Sequence, residues 1–340
     1  MEKPRLQGIS GVFLFDHGLC HWHLDSGRQN LHQTKRLTSK PGWSDWGYIV
    51  ILVAIWGSAF LFIKLALDNF PPTTLVFIRL ALGAAVMLLI LAIKTGHLQS
   101  ISPKLWFYFV CMALLGNALP FTAISWGQQF VSSGIAGLMM AFVPLSTLFL
   151  AHFFIPGETI TRRKLAGFCG GFVGVFVLMA PELKLISDNT QLWGMLAFLI
   201  AGLGYSTSNI MAKLRPPSND LFTTTAVLSL SALMMLPLSL GSGDPWFNAP
   251  LQTTAVVSVA ILGLLCTALA TYLYYRVLRS AGAAFVSQMN YFIPIWALLI
   301  GVIFLDEKIG LNAIVALVLI LSGIFIAHSG PEKEKETDEH

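Results

Sequence analysis

The sequence predicts an all-α integral membrane protein of ten transmembrane helices, arranged as two inverted five-helix repeats. Three observations carry this. The chain of 340 residues is 55% apolar and 11% charged, with mean hydropathy +0.72, whereas soluble domains carry about 25% charged residues. One long stretch occurs twice, from Val131 to Met179 and from Ala281 to Ala327. Lys and Arg gather in every second connection between the apolar runs.

Each copy of the repeated stretch opens with an apolar segment carrying one central proline, Pro144 or Pro294. A short turn with an acid follows, ending at Glu158 or Glu307, and then a second apolar segment with a late Gly-aliphatic-Phe step, Gly174-Val175-Phe176 or Gly323-Ile324-Phe325. The correspondence extends upstream. Ala118-Leu119 aligns with Ala268-Leu269, and Trp56 to Leu65 aligns with Tyr205 to Leu214. The two units are therefore expected at 45–181 and 190–328, between an N-terminal tail (1–44) and a charged C-terminal tail (329–340).

The elements follow in order. Residues Met1 to Ser44 are polar and His-rich, without helical period, and are expected to be disordered, with residues 1 to about 40 dispensable. Cys20, His21 and His23 lie there, too irregularly spaced to predict a metal site. Ten spans follow near 46–66, 73–93, 105–126, 131–153, 163–180, 191–212, 221–240, 253–275, 282–304 and 310–328. Each matches the roughly 20 residues that cross a bilayer core as helix. Pro71-Pro72, Pro156-Gly157, Pro216-Pro217 and Asp244-Pro245 punctuate the connections, because proline lacks the N–H and clashes with the preceding turn.

Loop charge sets the orientation. Basic connections hold Lys35, Arg36 and Lys40; Lys94 and Lys104; Arg162, Arg163 and Lys164; Lys213 and Arg215; Arg276 and Arg279; and Lys333 and Lys335. The alternate connections hold chiefly Lys184 and Lys308, with Lys64 near a helix end. The basic side is cytoplasmic, so both termini are expected inside. Five spans per unit is an odd number, so the second unit enters the membrane inverted, as in many secondary transporters.

The elements Ala54-Ile55-Trp56-Gly57-Ser58, Phe77-Ile78-Arg79-Leu80, Pro144-Leu145-Ser146-Thr147, Pro156-Gly157-Glu158 and Gly170 to Leu178 resemble those of an EamA-type member of the drug/metabolite transporter superfamily. The resemblance covers nearly everything after the tail. It implies export of amino acids, related metabolites or drugs across the bacterial inner membrane. It departs from the pattern in the second repeat, where nothing cationic faces the position of Arg79 and the span-five glycines have few counterparts.

Arg79 is the ionisable residue well inside a span, about 10 Å along the helix from Pro72. A charge at that depth faces a cavity or a partner. One reading makes it a cation that attracts a substrate carboxylate; the other has it bonded to backbone carbonyls or snorkelling outward. No Asp or Glu is expected within a span. Polar and aromatic residues inside spans complete the candidate substrate path: Trp56, Asn117, Trp126, Tyr205, Asn209, Tyr272, Gln288, Asn290 and Tyr291. Such groups in hydrocarbon face one another or a cavity. Pro144 and Pro294 are candidate gating kinks, since a central proline frees a backbone carbonyl. Gly167, Gly170, Gly171 and Gly174 form a small-residue face on span five that admits a close neighbour, in this chain or in a homodimer. Glu158 and Glu307 read as helix-start acids favoured by the helix dipole.

The expected partners are a small-molecule substrate, with a carboxylate-bearing one the candidate, and the lipid bilayer. The net charge of +4 is spread over short loops and does not suggest nucleic acid. No cofactor or metal is predicted. Cys111, Cys169 and Cys266 sit inside apolar segments without metal or disulfide spacing. An enzyme is the competing class, but the chain has no H-E-x-x-H, G-x-S-x-G or in-span carboxylate pair. A non-transporting scaffold would not require two symmetric prolines. Export is the first reading of function; drug efflux or solute uptake by the same fold is the alternative.

Overall fold

In a computed structural model, residues 42–95, 102–155, 160–183, 190–242, 247 and 250–328 are described. The terminal tails, with Cys20, His21 and His23, lie outside them, as do Glu158 and Lys184. Among the described residues every regular element is a helix, joined by short turns. The elements are α1 (Trp43–Leu67), α2 (Pro72–Thr95), α3 (Pro103–Gly127), α4 (Ser133–Phe154), α5 (Arg162–Leu183), α6 (Thr190–Leu214), α7 (Asp220–Gly241), α8 (Thr253–Ser287), α9 (Met289–Leu305) and α10 (Leu311–His328). The first eight are apolar and long enough to cross a membrane; α9 and α10 are shorter apolar helices. Helices satisfy their own backbone groups, which is why they are the open form of chain that hydrocarbon tolerates.

The helix starts carry the expected chemistry. Ser102 and Ser132 accept N–H bonds from Leu105 and Ile135, and Asn219 accepts from Leu221 and Phe222. Two boundaries depart from expectation. The first helix begins earlier, at Trp43, and so takes Asp45 into its first turn, where it is buried. Its carboxylate accepts from Gly42 N (2.9 Å) and Ser280 Oγ (2.6 Å). An acid is thus present inside a span, at the N-terminal turn where the dipole favours it. The second departure is in α8, which comprises Thr253–Ile261, a π-helical segment Leu262–Leu269, and Ala270–Ser287. The connection expected at 276–281 is helix. That stretch is free of proline and leads into Ala281, Ala283 and Ala284, strong helix formers. The break falls instead at Gln288, so α9 starts at Met289.

Pairing between helices is symmetric under exchange of the two halves. Packing of α2 on α7, α4 on α9 and α5 on α10 maps onto itself. Packing of α3 on α6 maps onto α8 on α1, α4 on α6 onto α9 on α1, and α2 on α8 onto α7 on α3. Each of these contacts joins one repeat to the other, so neither half owns a separate core. The neighbour of the α5 glycines is α10 of the same chain. A Cβ on Gly167 would strike Gly323 O, and one on Gly174 would lie 2.8 Å from Ile320. Gly171 faces Leu145 of α4.

Pro144 interrupts α4. The helix stops at Met140 and resumes at Phe142, with Ala141 between at ψ −10°. Met140 is the residue whose carbonyl loses its donor when position 144 is proline. Pro294 is buried in the second turn of α9, six residues past the break at Gln288.

Candidate functional site

Arg79, on α2, is buried, at 6% exposed. Phe121, on which it stacks, belongs to an apolar cluster formed by Val76 and Leu80 of α2, Ala118 of α3, Leu228, Ala232 and Met235 of α7, and Ala268 of α8. Arg79 Nε donates to Thr267 Oγ1 at 2.9 Å. The guanidinium carbon sits 3.9 Å from the centroid of the Phe121 ring, whose face is electron-rich. Tyr205 of α6 packs edge-on against that ring at 6.4 Å. Among the described residues no carboxylate pairs with Arg79. The nearest side chains therefore orient the cation without neutralising it.

The site has a second, neutral half. Asn117 Nδ2 donates to Ser231 Oγ at 3.2 Å, and Ser231 in turn donates to Ala113 O. Asn117 corresponds to Thr267 in the repeat alignment, since Ala118 matches Ala268. Both residues stand in π-helical segments, Leu114–Ala118 of α3 and Leu262–Leu269 of α8. A π turn inserts one residue and re-aims the side chains that follow, and such turns concentrate at functional positions. Thr267 Oγ1 itself donates to Leu262 O, five residues earlier in the same π segment. Each half thus pairs a π-segment residue of one repeat with a residue of the other: Thr267 with Arg79, Asn117 with Ser231.

The register of α2 on α7 fixes their depth. Thr74 Oγ1 lies 3.1 Å from Ser239 Oγ, and Thr225 Oγ1 donates to Met87 O. Interpolating between these antiparallel pairs puts Arg79 and Ser231 within roughly one helical turn, about 5 Å, of the same level. The two halves face the same layer of the membrane.

Other predicted path residues distribute as follows. Trp56 joins the central group: its Nε1 donates to Cys266 O at 3.1 Å, and its ring stacks at a tilt on Tyr274. Tyr272 is half-buried and packs against the same cluster. Gln288, Asn290 and Tyr291 form a separate group at the start of α9, where Tyr291 Oη donates to Ile324 O of α10. Trp126 is 42% exposed and stacks edge-on with Phe130, and Asn209 is exposed on α6. Neither adjoins Arg79. Ser206 serves as a tie between helices, bonding Ser146, Thr147 and Val143 O of α4. Thr267, Ser231 and Phe121 were missed by sequence reasoning. The repeat alignment already carried the signal for Thr267, as the counterpart of Asn117.

Known proteins share this architecture. The model of the EamA-like transporter family matches residues 45–180 and again residues 192–328. The "Uncharacterized transporter YoaV" of Bacillus subtilis (strain 168) is 30% identical over 280 residues, 82% of this chain and 94% of that protein. The "Uncharacterized inner membrane transporter YedA" of Escherichia coli (strain K12) is 26% identical over 259 residues, 75% of this chain and 81% of its own. A solved crystal structure, 17% identical, superposes with a TM-score of 0.60 over 84% of this chain and 96% of its own, which shows a shared fold. With both halves matched and the ten-helix arrangement in place, the chain belongs to the EamA-like transporter family.

Proposed function

We propose that this multi-pass membrane transporter exports carboxylate-bearing small metabolites, amino acids foremost, across the inner membrane by alternating access. Both termini face the cytoplasm, and Arg79 holds the substrate carboxylate. The observation that carries the reading is the state of Arg79: a buried cation, oriented by Thr267 and Phe121, without a carboxylate partner among the described residues. An unneutralised charge at that depth is expensive and is retained where it meets a ligand. The neutral half at Asn117 and Ser231 suits the uncharged or zwitterionic remainder of such a solute.

The test is flux per inserted molecule in vesicles of both orientations, with a carboxylate solute and its methyl ester. Arg79→Gln removes a charge-assisted bond of roughly 1.5–3 kcal/mol, so carboxylate flux at low concentration should fall about 10- to 100-fold while the ester is spared. Arg79→Lys keeps the charge but loses the planar fork, and should fall in between. If both variants discriminate the two solutes as the parent does, Arg79 is a packing residue and the reading fails. Inward flux exceeding outward flux would replace export by uptake.

A further inference from the structure

At the end of the bundle opposite Asp45, the chain closes on itself through an acid that the transport path does not use. Glu307 follows α9, and its two carboxylate oxygens accept from two consecutive backbone amides at the start of α4: Ser133 N to Oε1 at 2.6 Å and Gly134 N to Oε2 at 2.9 Å. The acid therefore caps a helix of the other repeat and not the helix that follows it in sequence. A carboxylate at a helix N-terminus meets both unsatisfied N–H donors and the positive end of the dipole.

The surroundings are built for this contact. Asp306 adopts the left-handed conformation at φ 51°, and Glu307 N bonds back to Gly301 O at 3.2 Å, so the chain turns and returns Glu307 toward α4. Asp is among the few residues other than glycine that take this conformation readily. Two glycines make room. A Cβ on Gly301 would strike Glu307 Oε2, and one on Gly134 would lie 3.3 Å from the same oxygen and 2.8 Å from Leu298. The same end carries a second tie between the repeats, Asn69 Nδ2 to Pro250 O (3.0 Å) with Gln252 N to Asn69 Oδ1 (3.1 Å). Beside the start of α4, Gln128 bonds Phe60 O and Ser133 Oγ through Nε2, but its Oε1 is buried without a partner. The closed end is thus not fully satisfied, and leaving it relieves a desolvated carbonyl.

We propose that Glu307 is the latch of a gate, holding the ends of α4 and α9 together in the closed state and releasing the α4 amides when that end opens. The inference rests on alternating access as read above: two repeats that rock against each other must break the contacts joining them at one end. Of the two helices concerned, α4 is interrupted at Ala141, which gives its first turns a point about which they can swing, while α9 runs unbroken from Met289 to Leu305. Loop charge makes this the outer end, the side of Lys308.

The test uses the full chain in membrane vesicles, with the four native cysteines replaced by alanine and one reporter, Leu298→Cys. Leu298 is buried beneath the latch, against Gly134. The probe is a membrane-impermeant maleimide, and no substrate is required. Glu307→Gln replaces one acceptor oxygen by a donor facing an N–H. Ser133→Pro removes one of the two amides at the first helical position, where proline is well tolerated and the extended Ser132 accommodates it. Ser133→Ala removes the hydroxyl but keeps the amide. Labelling should rise about tenfold in Glu307→Gln and Ser133→Pro, the shift expected for losing one strong bond from a two-state equilibrium, and stay near the parent rate in Ser133→Ala.

Parent-like labelling in the first two variants overturns the latch, as does equal labelling in Ser133→Ala and Ser133→Pro. Should Glu307→Gln fail to accumulate, the comparison of Ser133→Pro with Ser133→Ala decides. Loss of accumulation in both Glu307→Gln and Ser133→Pro assigns Glu307 to folding and also overturns it. Faster labelling without flux of any solute leaves the latch standing and removes the transport reading instead.

Discussion

At the scale of single residues, Thr267 decides what Arg79 can do. A guanidinium has five donors in a fixed plane, and fixing Nε fixes the plane. Thr267 takes Nε while Phe121 covers one face, which leaves the terminal nitrogens as the groups able to meet a carboxylate. Thr267→Val keeps the shape and removes the acceptor. A hydrogen bond to a charged group contributes about 1.5–3 kcal/mol, so transport of a carboxylate solute should fall roughly 10-fold or more in apparent affinity. Thr267→Ser should restore most of it. Equal loss with the methyl ester would mean that Thr267 only supports the π segment through Leu262 O. None of this was legible at residue 267 alone, because a threonine in an apolar run reads as a half-buried helix residue. The partner on α2 is remote in sequence.

At the scale of elements, α5 and α10 form the closest helix pair, and the reason is steric. The glycines on α5 expose backbone to backbone, and Gly167 and Gly323 meet with no room for a side chain. Gly167→Val should destabilise by about 1–3 kcal/mol, the usual cost of overpacking. The thermal midpoint in detergent should fall while the carboxylate-to-ester ratio stays as in the parent. A change in that ratio would show that this pair communicates with the site. The small-residue spacing on α5 was readable; its partner was not, since α10 offers one matching glycine and several other helices offer small residues as well. The π segments of α3 and α8 were also beyond reach. A single inserted residue leaves hydropathy and length unchanged, and only the hydrogen-bond pattern reveals it.

At the scale of the molecule, the contacts between repeats outweigh any notion of two independent halves. Helices consecutive in the chain touch only lightly, and the most extensive packing of each helix is with one from the opposite repeat. If the loop charges are read correctly, cysteines placed at Arg163 and Arg215 should react with impermeant reagent only from the cytoplasmic side, and one at Lys308 only from outside. Arg163 labelling from outside would contradict the inverted arrangement. Reading the charge pattern needed no tertiary structure, because insertion is decided segment by segment by apolar length and flanking Lys and Arg.

By itself, then, the sequence determined the solvent, the ten spans, the doubling of one unit, the depth of Arg79 and the small face of α5. These are local properties: a bilayer obliges each crossing segment to satisfy its own backbone, so length and hydropathy are written in consecutive residues. The tertiary structure decided which groups meet. Thr267 with Arg79, Asn117 with Ser231 and Glu307 with the start of α4 each join residues more than 100 positions apart. It also moved the break before α9 to Gln288 and placed Asp45 inside the first helix. In hydrocarbon the apolar surfaces of all helices are nearly equivalent as solvents for one another. Partner choice therefore falls to close packing and to a few buried polar bonds, and those exist only once the helices are assembled.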